Sequence, residues 1–199
     1  MLTWLRGTLS TCSYELVRSM TPQRMGLFLL LALFPATMIF LITMNGNQSG
    51  GEIAFMEALV ILLVGLVGLL SLLLSASTRI YSELEGKSWV YVACRPSGRV
   101  STVFGKFLAA FILSYAVSLL AATLAIFAAQ WRGNLARPEN FWLVTAGLLF
   151  LACFAYGAMF TLIGTLFYRR AMVFCAGYML VVEFVLANVP ALIRSFTIR

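Results

Sequence analysis

Few side chains in this sequence can carry out acid–base, nucleophilic or metal chemistry. The 199 residues include no histidine and no aspartate, and the seven acidic residues are all glutamates. Because metal sites and acid–base catalysis rely on histidine, aspartate and paired carboxylates, we predict no metal site, no bound cofactor and no enzyme active site in this chain. The cysteines form no CxxC pair and are expected to be buried thiols rather than a disulfide framework: Cys12, Cys94, Cys153 and Cys175.

One short motif has the residues of a nucleotide-binding loop. Gly86-Lys87-Ser88 looks like the end of a phosphate-binding loop. Such a loop also needs a glycine five residues before Gly86 and a preceding strand. The sequence has Tyr81 at that position and no strand is predicted before it. We therefore predict that ATP is not bound by this chain.

Charged and aromatic residues alternate in the segment that surrounds this motif. Both signs of charge occur within a few residues, and Trp89 and Tyr91 lie among them. A solvated loop has little use for such aromatics, so the pattern favours a short helix that contacts lipid or a protein partner. A surface helix anchored only in lipid headgroups is the alternative. The charged residues of this segment are Glu83, Glu85, Lys87, Arg95 and Arg99.

Several polar or small residues fall inside long apolar runs. Glu57 lies near one end of its run, where its carboxylate can reach water. Glu183 lies deeper, and either contacts a translocation path or makes a hydrogen bond in helix packing; Tyr115 is open to the same two interpretations. Small residues at steps of three or four predict packing within the chain, a dimer interface or the wall of a translocation path: Gly65, Gly68, Ser71 and Ser75, then Gly157, Thr161 and Gly164.

The composition indicates a membrane protein. Hydrophobic residues make up 62% of the chain and charged residues only 11%, whereas soluble domains carry about 25% charged residues. A chain this short cannot bury that much apolar surface by itself, so lipid must cover the remainder. The net charge is +7, and the basic residues that produce it flank the apolar runs. These basic residues therefore indicate which side of the membrane the loops lie on, and they predict contact with lipid headgroups and not with nucleic acid.

The apolar runs define the elements that position these residues. Five runs approach the roughly 20 residues that a bilayer core requires: 26–44, 54–77, 107–130, 141–168 and 171–189. Residues 1–24 precede them and carry an apolar stripe that predicts an amphipathic helix on the membrane surface, with a disordered tail as the alternative. The stripe consists of Leu5, Leu9, Cys12, Leu16 and Met20.

The distribution of lysine and arginine predicts the orientation. Ten of these residues lie in the N-terminal segment, in residues 78–106 and at Arg169-Arg170, against four on the other side of the spans. Because basic residues accumulate on the cytoplasmic side, the N-terminus and the 78–106 loop are predicted to be cytoplasmic. The predicted fold class is an all-α polytopic protein of the bacterial inner membrane, with residues 1–199 as a single transmembrane domain.

Residues 83–106 resemble the permease subunits of type 2 ABC exporters. The resemblance is carried by Glu83-x-Glu85-Gly86-Lys87-Ser88, Tyr91, Arg95-Pro96, Arg99 and Gly105-Lys106, and Ser88 stands where that family usually has threonine. It implies an elbow helix over residues 1–24 and a coupling helix over residues 80–95. It also implies a sixth span, which residues 1–199 do not contain.

The resemblance further implies what the protein does. Such a permease moves its substrate by alternating access, as a dimer with itself or with a related permease. ATP and Mg are held by a separate ATPase subunit, and membrane lipid surrounds the spans. The alternatives are a non-transporting membrane anchor or assembly component and, less favoured, a membrane-embedded lipid enzyme. The residues expected to couple to the ATPase are Glu83, Glu85, Lys87, Trp89, Tyr91, Arg95 and Arg99.

Overall fold

The structure, a computed structural model, describes residues 2–44, 59, 62–75, 98–130, 138–167 and 170–181. The regular elements within these residues are all helices. The third, α3, covers residues 62–75 and opens with π-helical turns over Leu62–Gly68. The other helices are α1 (Leu2–Ser19), α2 (Pro22–Met44), α4 (Gly98–Gln130), α5 (Pro138–Leu166) and α6 (Ala171–Tyr178).

Local sequence explains where several helices begin. Both α2 and α5 start on a proline, which suits the first helical position because its backbone nitrogen has no helical partner to lose. Within α4 there is no proline over 33 residues, and alanine and leucine predominate, so the helix continues without a break. The helix α2 passes through Pro35, as membrane helices tolerate when neighbouring groups satisfy the freed backbone.

Three of the described helices are long and apolar enough to cross a membrane. They are Pro22–Leu41 in α2, Val100–Gln130 in α4 and Asn140–Leu166 in α5. Large apolar side chains are exposed along all three, including Leu30, Phe127 and Leu143. Exposure of this extent along helices of this length is typical of a surface that faces lipid. The chain is therefore a helical membrane protein.

The predicted spans can be compared with these helices. The runs 26–44 and 107–130 lie within α2 and α4, and residues 141–166 of the run 141–168 lie within α5. The helix α4 begins at Gly98, so residues 98–106, expected in the 78–106 loop, are helical. Parts of the runs 54–77 and 171–189 are described, and those parts are helical too. The total of five spans stays a prediction.

The chain divides into two compact units. Among the described residues, the first unit contains α1, residues 72–75, residues 98–113 of α4, residues 154–166 of α5, and α6. The second unit contains α2, residues 62–71, residues 114–130 of α4 and residues 138–153 of α5.

Aromatic side chains fill much of the first unit. The Phe107 ring lies 5.8 Å from that of Phe154 and 6.3 Å from that of Phe111. Gly157 faces the Phe107 ring, since a Cβ at this glycine would lie 3.3 Å from a ring carbon. The helix α6 packs against the end of α5 through the rings of Phe160 and Tyr178. In the second unit, α2 contacts the π-helical turns of α3.

Burial along α4 repeats every four residues. From Ser101 to Leu120, two buried residues are followed by a half-buried one and an exposed one, five times in succession. Because an α-helix has 3.6 residues per turn, a four-residue repeat turns the buried face by about 40° each time. The buried side therefore winds around α4, and neighbours must contact this helix from more than one direction.

Candidate functional site

The predicted coupling segment leads directly into α4. Arg99 lies in the first turn of this helix. The other residues expected to contact an ATPase lie outside the described residues: Glu83, Glu85, Lys87, Trp89, Tyr91 and Arg95. Glu57 and Glu183 also lie outside them. The start of α4 is therefore the part of this region whose surroundings the structure describes.

The helix α1 packs on the first turns of α4 with little space between the two backbones. A Cβ added to Gly105 would lie 2.8 Å from the Thr11 Cβ and 2.9 Å from the Thr8 carbonyl oxygen. A Cβ at Gly7 would lie 2.7 Å from the Ser101 hydroxyl. Small residues thus set the distance between the helices, as they do where membrane helices approach closely. We call this contact the α1–α4 junction.

A buried ion pair lies in the α1–α4 junction. The Lys106 Nζ is 3.7 Å from the Glu15 Oε1, and the two side chains are 4% and 5% exposed respectively. The Ser19 hydroxyl donates a hydrogen bond to the Glu15 backbone carbonyl. Removing two charges from water costs several kcal/mol per ion, and the cost is offset only when the partners stay together. The pair therefore penalises separation of α1 from α4.

One aromatic contact extends the junction beyond the ion pair. The Trp4 and Phe104 rings meet edge to face with their centroids 5.8 Å apart, a favoured geometry for aromatic pairs. Trp4 lies near the beginning of α1 and Glu15 near its end. The contacts between α1 and α4 consequently extend over most of the length of α1.

Within residues 1–24, where an amphipathic helix is predicted, the structure has the helix Leu2–Ser19; that this helix lies on a membrane surface stays a prediction. The side that α1 buries is mostly polar: Thr8, Cys12, Glu15 and Ser19. The predicted apolar stripe is only partly in this contact, because Cys12 is buried whereas Leu9 is 60% and Met20 61% exposed. α4 offers small and polar groups here, and these match the polar side of α1.

Sequence reasoning missed both members of the ion pair. The sequence indicates no role for Glu15, and Lys106 enters only as a basic residue of the cytoplasmic side and as part of Gly105-Lys106 in the resemblance. A signal was available in the spacing, because the polar residues Thr8, Glu15 and Ser19 fall on one side of the helix, with Cys12 between them. That second stripe, one face away from the apolar one, is typical of a helix that packs against a polar partner.

The structure shows contacts of Tyr115 and of some of the small residues, and these bear on whether the residues serve helix packing or a functional surface. The Tyr115 hydroxyl donates to the Ala146 carbonyl at 3.5 Å, and its ring meets that of Phe150 edge to face at 5.6 Å. The Ser71 hydroxyl donates within its own helix, to the Gly68 carbonyl, and Gly157 packs against Phe107. The contacts of Tyr115 and Gly157 favour helix packing within the chain. The Ser71 bond is internal to its helix, and a Cβ at Gly65 would meet no atom within 4 Å.

The described residues lack the groups that metal chemistry requires. No group of three His, Cys, Asp or Glu side chains among them could hold a metal ion. Of the four cysteines, Cys12, Cys153 and Cys175 are buried as predicted, and Cys94 lies outside the described residues.

Comparisons with protein-family models, with curated proteins and with solved structures give no match to this chain.

Proposed function

We propose that this chain is the membrane-spanning permease subunit of an ATP-driven exporter of the type 2 ABC class. Its substrate crosses the membrane by alternating access, driven by a separate ATPase that docks on the loop before α4. The observation that carries the proposal is the charged and aromatic segment 83–99, which ends in the first turn of a helix long enough to span a membrane.

The route of energy into the membrane follows from this connection. An ATPase that moves the 80–95 segment also moves the start of α4, because Gly98 begins a helix that continues without interruption to Gln130. Charged residues in the segment set the register of docking, while Trp89 and Tyr91 fill a groove on the partner. Arg99 lies at the point where docking surface and spanning helix join.

Through the α1–α4 junction, movement of the start of α4 also moves α1. Since Gly105 leaves no space for a side chain and Lys106 is paired with Glu15, α1 follows the first turns of α4. A tightly packed contact of this kind has low compressibility and transmits displacement. The displacement therefore reaches both a spanning helix and the N-terminal helix.

The remaining parts of the proposal concern topology and partners. The chain has five spans, with its N-terminus in the cytoplasm and its spans in the bacterial inner membrane. It works as a dimer with itself or a related permease, and ATP and Mg are bound by the ATPase subunits. Tyr115 acts in helix packing, in keeping with its contacts to Ala146 and Phe150.

Reversing the charges of the docking segment tests the proposal. The chain is purified in mild detergent, co-eluting proteins are identified by mass spectrometry, and ATP hydrolysis is measured. We expect the unaltered chain to retain a protein that carries a phosphate-binding loop. The Glu83→Lys/Glu85→Lys variant should lose this partner together with the ATP hydrolysis.

A matched control changes the same number of charges elsewhere. Glu52→Lys/Glu139→Lys alters two glutamates of the predicted outer loops and should retain the partner. Retention of the ATPase by Glu83→Lys/Glu85→Lys, with normal stimulated turnover, would contradict the proposal. A stable partner without an ATP site would favour the membrane-anchor alternative, and hydrolysis of lipid by the purified chain would favour the enzyme.

A further inference from the structure

Several large or charged side chains of α1 are exposed outside the α1–α4 junction. Leu9, Tyr14 and Val17 are 60%, 65% and 74% exposed. Arg6 and Arg18 are exposed on the same helix. Large apolar side chains exposed on a short helix beside arginines are typical of a surface that enters the boundary between lipid headgroups and acyl chains. We call these five residues the basic face of α1.

The ion pair buries the only acidic residue of α1. The charged residues of α1 are Arg6, Glu15 and Arg18. Because Glu15 is buried against Lys106, the exposed charges that remain on α1 are both positive. The ammonium of Lys106 is buried in the same contact and does not add to the exposed charge. The field that α1 presents to its surroundings is thus one that attracts anions.

We propose that the basic face of α1 binds anionic phospholipid headgroups. Arg6 and Arg18 contact the phosphates, while Leu9, Tyr14 and Val17 insert among the upper acyl carbons. Negative charge on the lipid is the complement of the two exposed arginines. The apolar side chains between them distinguish a bilayer from an acidic protein loop, which would offer them no apolar contact. This inference requires only that the chain spans a membrane and holds even if no ATPase binds.

The size of the effect follows from the charge on a membrane surface. A basic residue close to an anionic leaflet contributes about 1 kcal/mol, which corresponds to about a fivefold preference for anionic over zwitterionic lipid. Two arginines that act independently give about 25-fold. Salt weakens the preference, because the Debye length falls from about 10 Å at 0.1 M to about 3 Å at 1 M.

A fluorescence experiment on the full chain tests the inference. The native cysteines are replaced and an environment-sensitive fluorophore is attached at Ser13→Cys, which is an exposed position on α1. The protein is reconstituted into vesicles of phosphatidylcholine with phosphatidylglycerol, in which one lipid at a time carries brominated acyl chains. We expect brominated phosphatidylglycerol to quench more strongly than brominated phosphatidylcholine at the same mole fraction.

Charge removal then identifies the groups responsible. Arg6→Gln and Arg18→Gln should each lower the preference for phosphatidylglycerol about fivefold, and the double variant about 25-fold. Arg132→Gln/Arg137→Gln removes two positive charges from the predicted outer loop and should leave the preference unchanged. Thermal unfolding of each variant checks that the fold is intact.

The outcomes that would overturn the inference differ from one another. Equal quenching by both lipids means that the face enters the bilayer without selecting anions. Absence of quenching by either lipid means that the basic face of α1 does not enter the bilayer and is instead exposed to water or in contact with protein. An unchanged preference in Arg6→Gln/Arg18→Gln assigns the selection to other residues. Whether an ATPase is retained in the experiment on Glu83 and Glu85 bears only on the exporter proposal and leaves this inference unaffected.

Discussion

At the scale of single residues, Glu15 and Lys106 show how a charged pair persists in an apolar chain. Their 3.7 Å separation is longer than the roughly 2.7–2.9 Å of a good charge-assisted hydrogen bond. Direct attraction therefore offsets only part of the cost of removing both charges from water. Because separating a buried pair exposes its charges to an apolar surrounding, the pair favours the arrangement in which α1 and α4 lie together.

Removing one member of the pair should destabilise the protein more than replacing both. We expect Glu15→Gln to lower the free energy of unfolding by about 3–5 kcal/mol, since it takes the carboxylate away from a buried ammonium. The double variant Glu15→Leu/Lys106→Met should recover most of this loss, because two apolar side chains suit a buried site. Thermal unfolding in mild detergent measures both. Additive losses in the double variant would show that the two charges do not interact.

The glycines of the junction give a second prediction at this scale. Gly105→Ala should cost about 1–3 kcal/mol, because its Cβ would overlap a backbone oxygen that cannot rotate away. Gly7→Ala should cost less, since it meets only the Ser101 hydroxyl, which can turn. The matched control is Gly147→Ala on α5, which has no atom within 4 Å of its Cβ and should be neutral or stabilising by up to about 1 kcal/mol. Equal stability of the alanine variants at 105 and 147 would contradict the described packing.

At the scale of elements, α1 and α4 form a pair whose two exposed surfaces differ. The helix α1 buries a polar side and exposes apolar and basic residues, whereas the exposed residues of α4 include Phe104, Leu120 and Phe127. A spanning helix needs an apolar exterior, and an interfacial helix needs both apolar and charged groups. This difference is the one expected if α4 spans the membrane and α1 lies at its surface, as proposed above.

A disulfide tests whether the two helices move together. A Cβ at Gly7 would lie 3.7 Å from the Ser101 Cβ, within the range of about 3.5–4.5 Å that a disulfide requires. In a background without the native cysteines, Gly7→Cys/Ser101→Cys should therefore cross-link on mild oxidation, as seen by a shift in gel mobility. The control Ser13→Cys/Ser101→Cys should not, because Ser13 is exposed on another side of α1.

The same cross-link has a functional readout under the exporter proposal. If α1 follows α4 through the transport cycle, the oxidised variant should hydrolyse ATP as fast as the reduced one when bound to its ATPase. A cross-linked protein whose ATP hydrolysis is blocked and then restored by reduction would show that the helices must separate during the cycle.

At the scale of the whole molecule, orientation follows from where basic residues accumulate. We expect Ser97→Cys to be protected from a membrane-impermeant maleimide in intact cells, because residues 78–97 are predicted to be cytoplasmic. Asn47→Cys and Asn134→Cys, in the predicted outer loops, should be labelled. Each labelled single-cysteine variant is compared with the same variant in permeabilised cells. Labelling of Ser97→Cys from outside would reverse the predicted orientation.

The parts of this structure that could be predicted from sequence are those that depend on one segment alone. The length of an apolar run is enough to place α2, α4 and α5, since the bilayer core sets how long such a run must be. The α1–α4 junction depends on residues about 90 positions apart, and periodicity in α1 does not reveal which surface α4 presents. The sequence therefore predicts the apolar stripe of residues 1–24, but it does not predict that a polar side of the same helix packs on α4.

The separation between Glu15 and Lys106 along the chain has a consequence for biosynthesis. Ribosomes add about 5–20 residues per second, so Lys106 is made roughly 5 to 20 s after Glu15. During that interval α4 has not yet been synthesised, so the polar side of α1 cannot make its contact with α4. A nascent chain in this state is a natural substrate for chaperones and proteases. Variants of Lys106 are therefore expected to show first as reduced amounts of protein in the membrane, before any change in the activity of the molecules that are made.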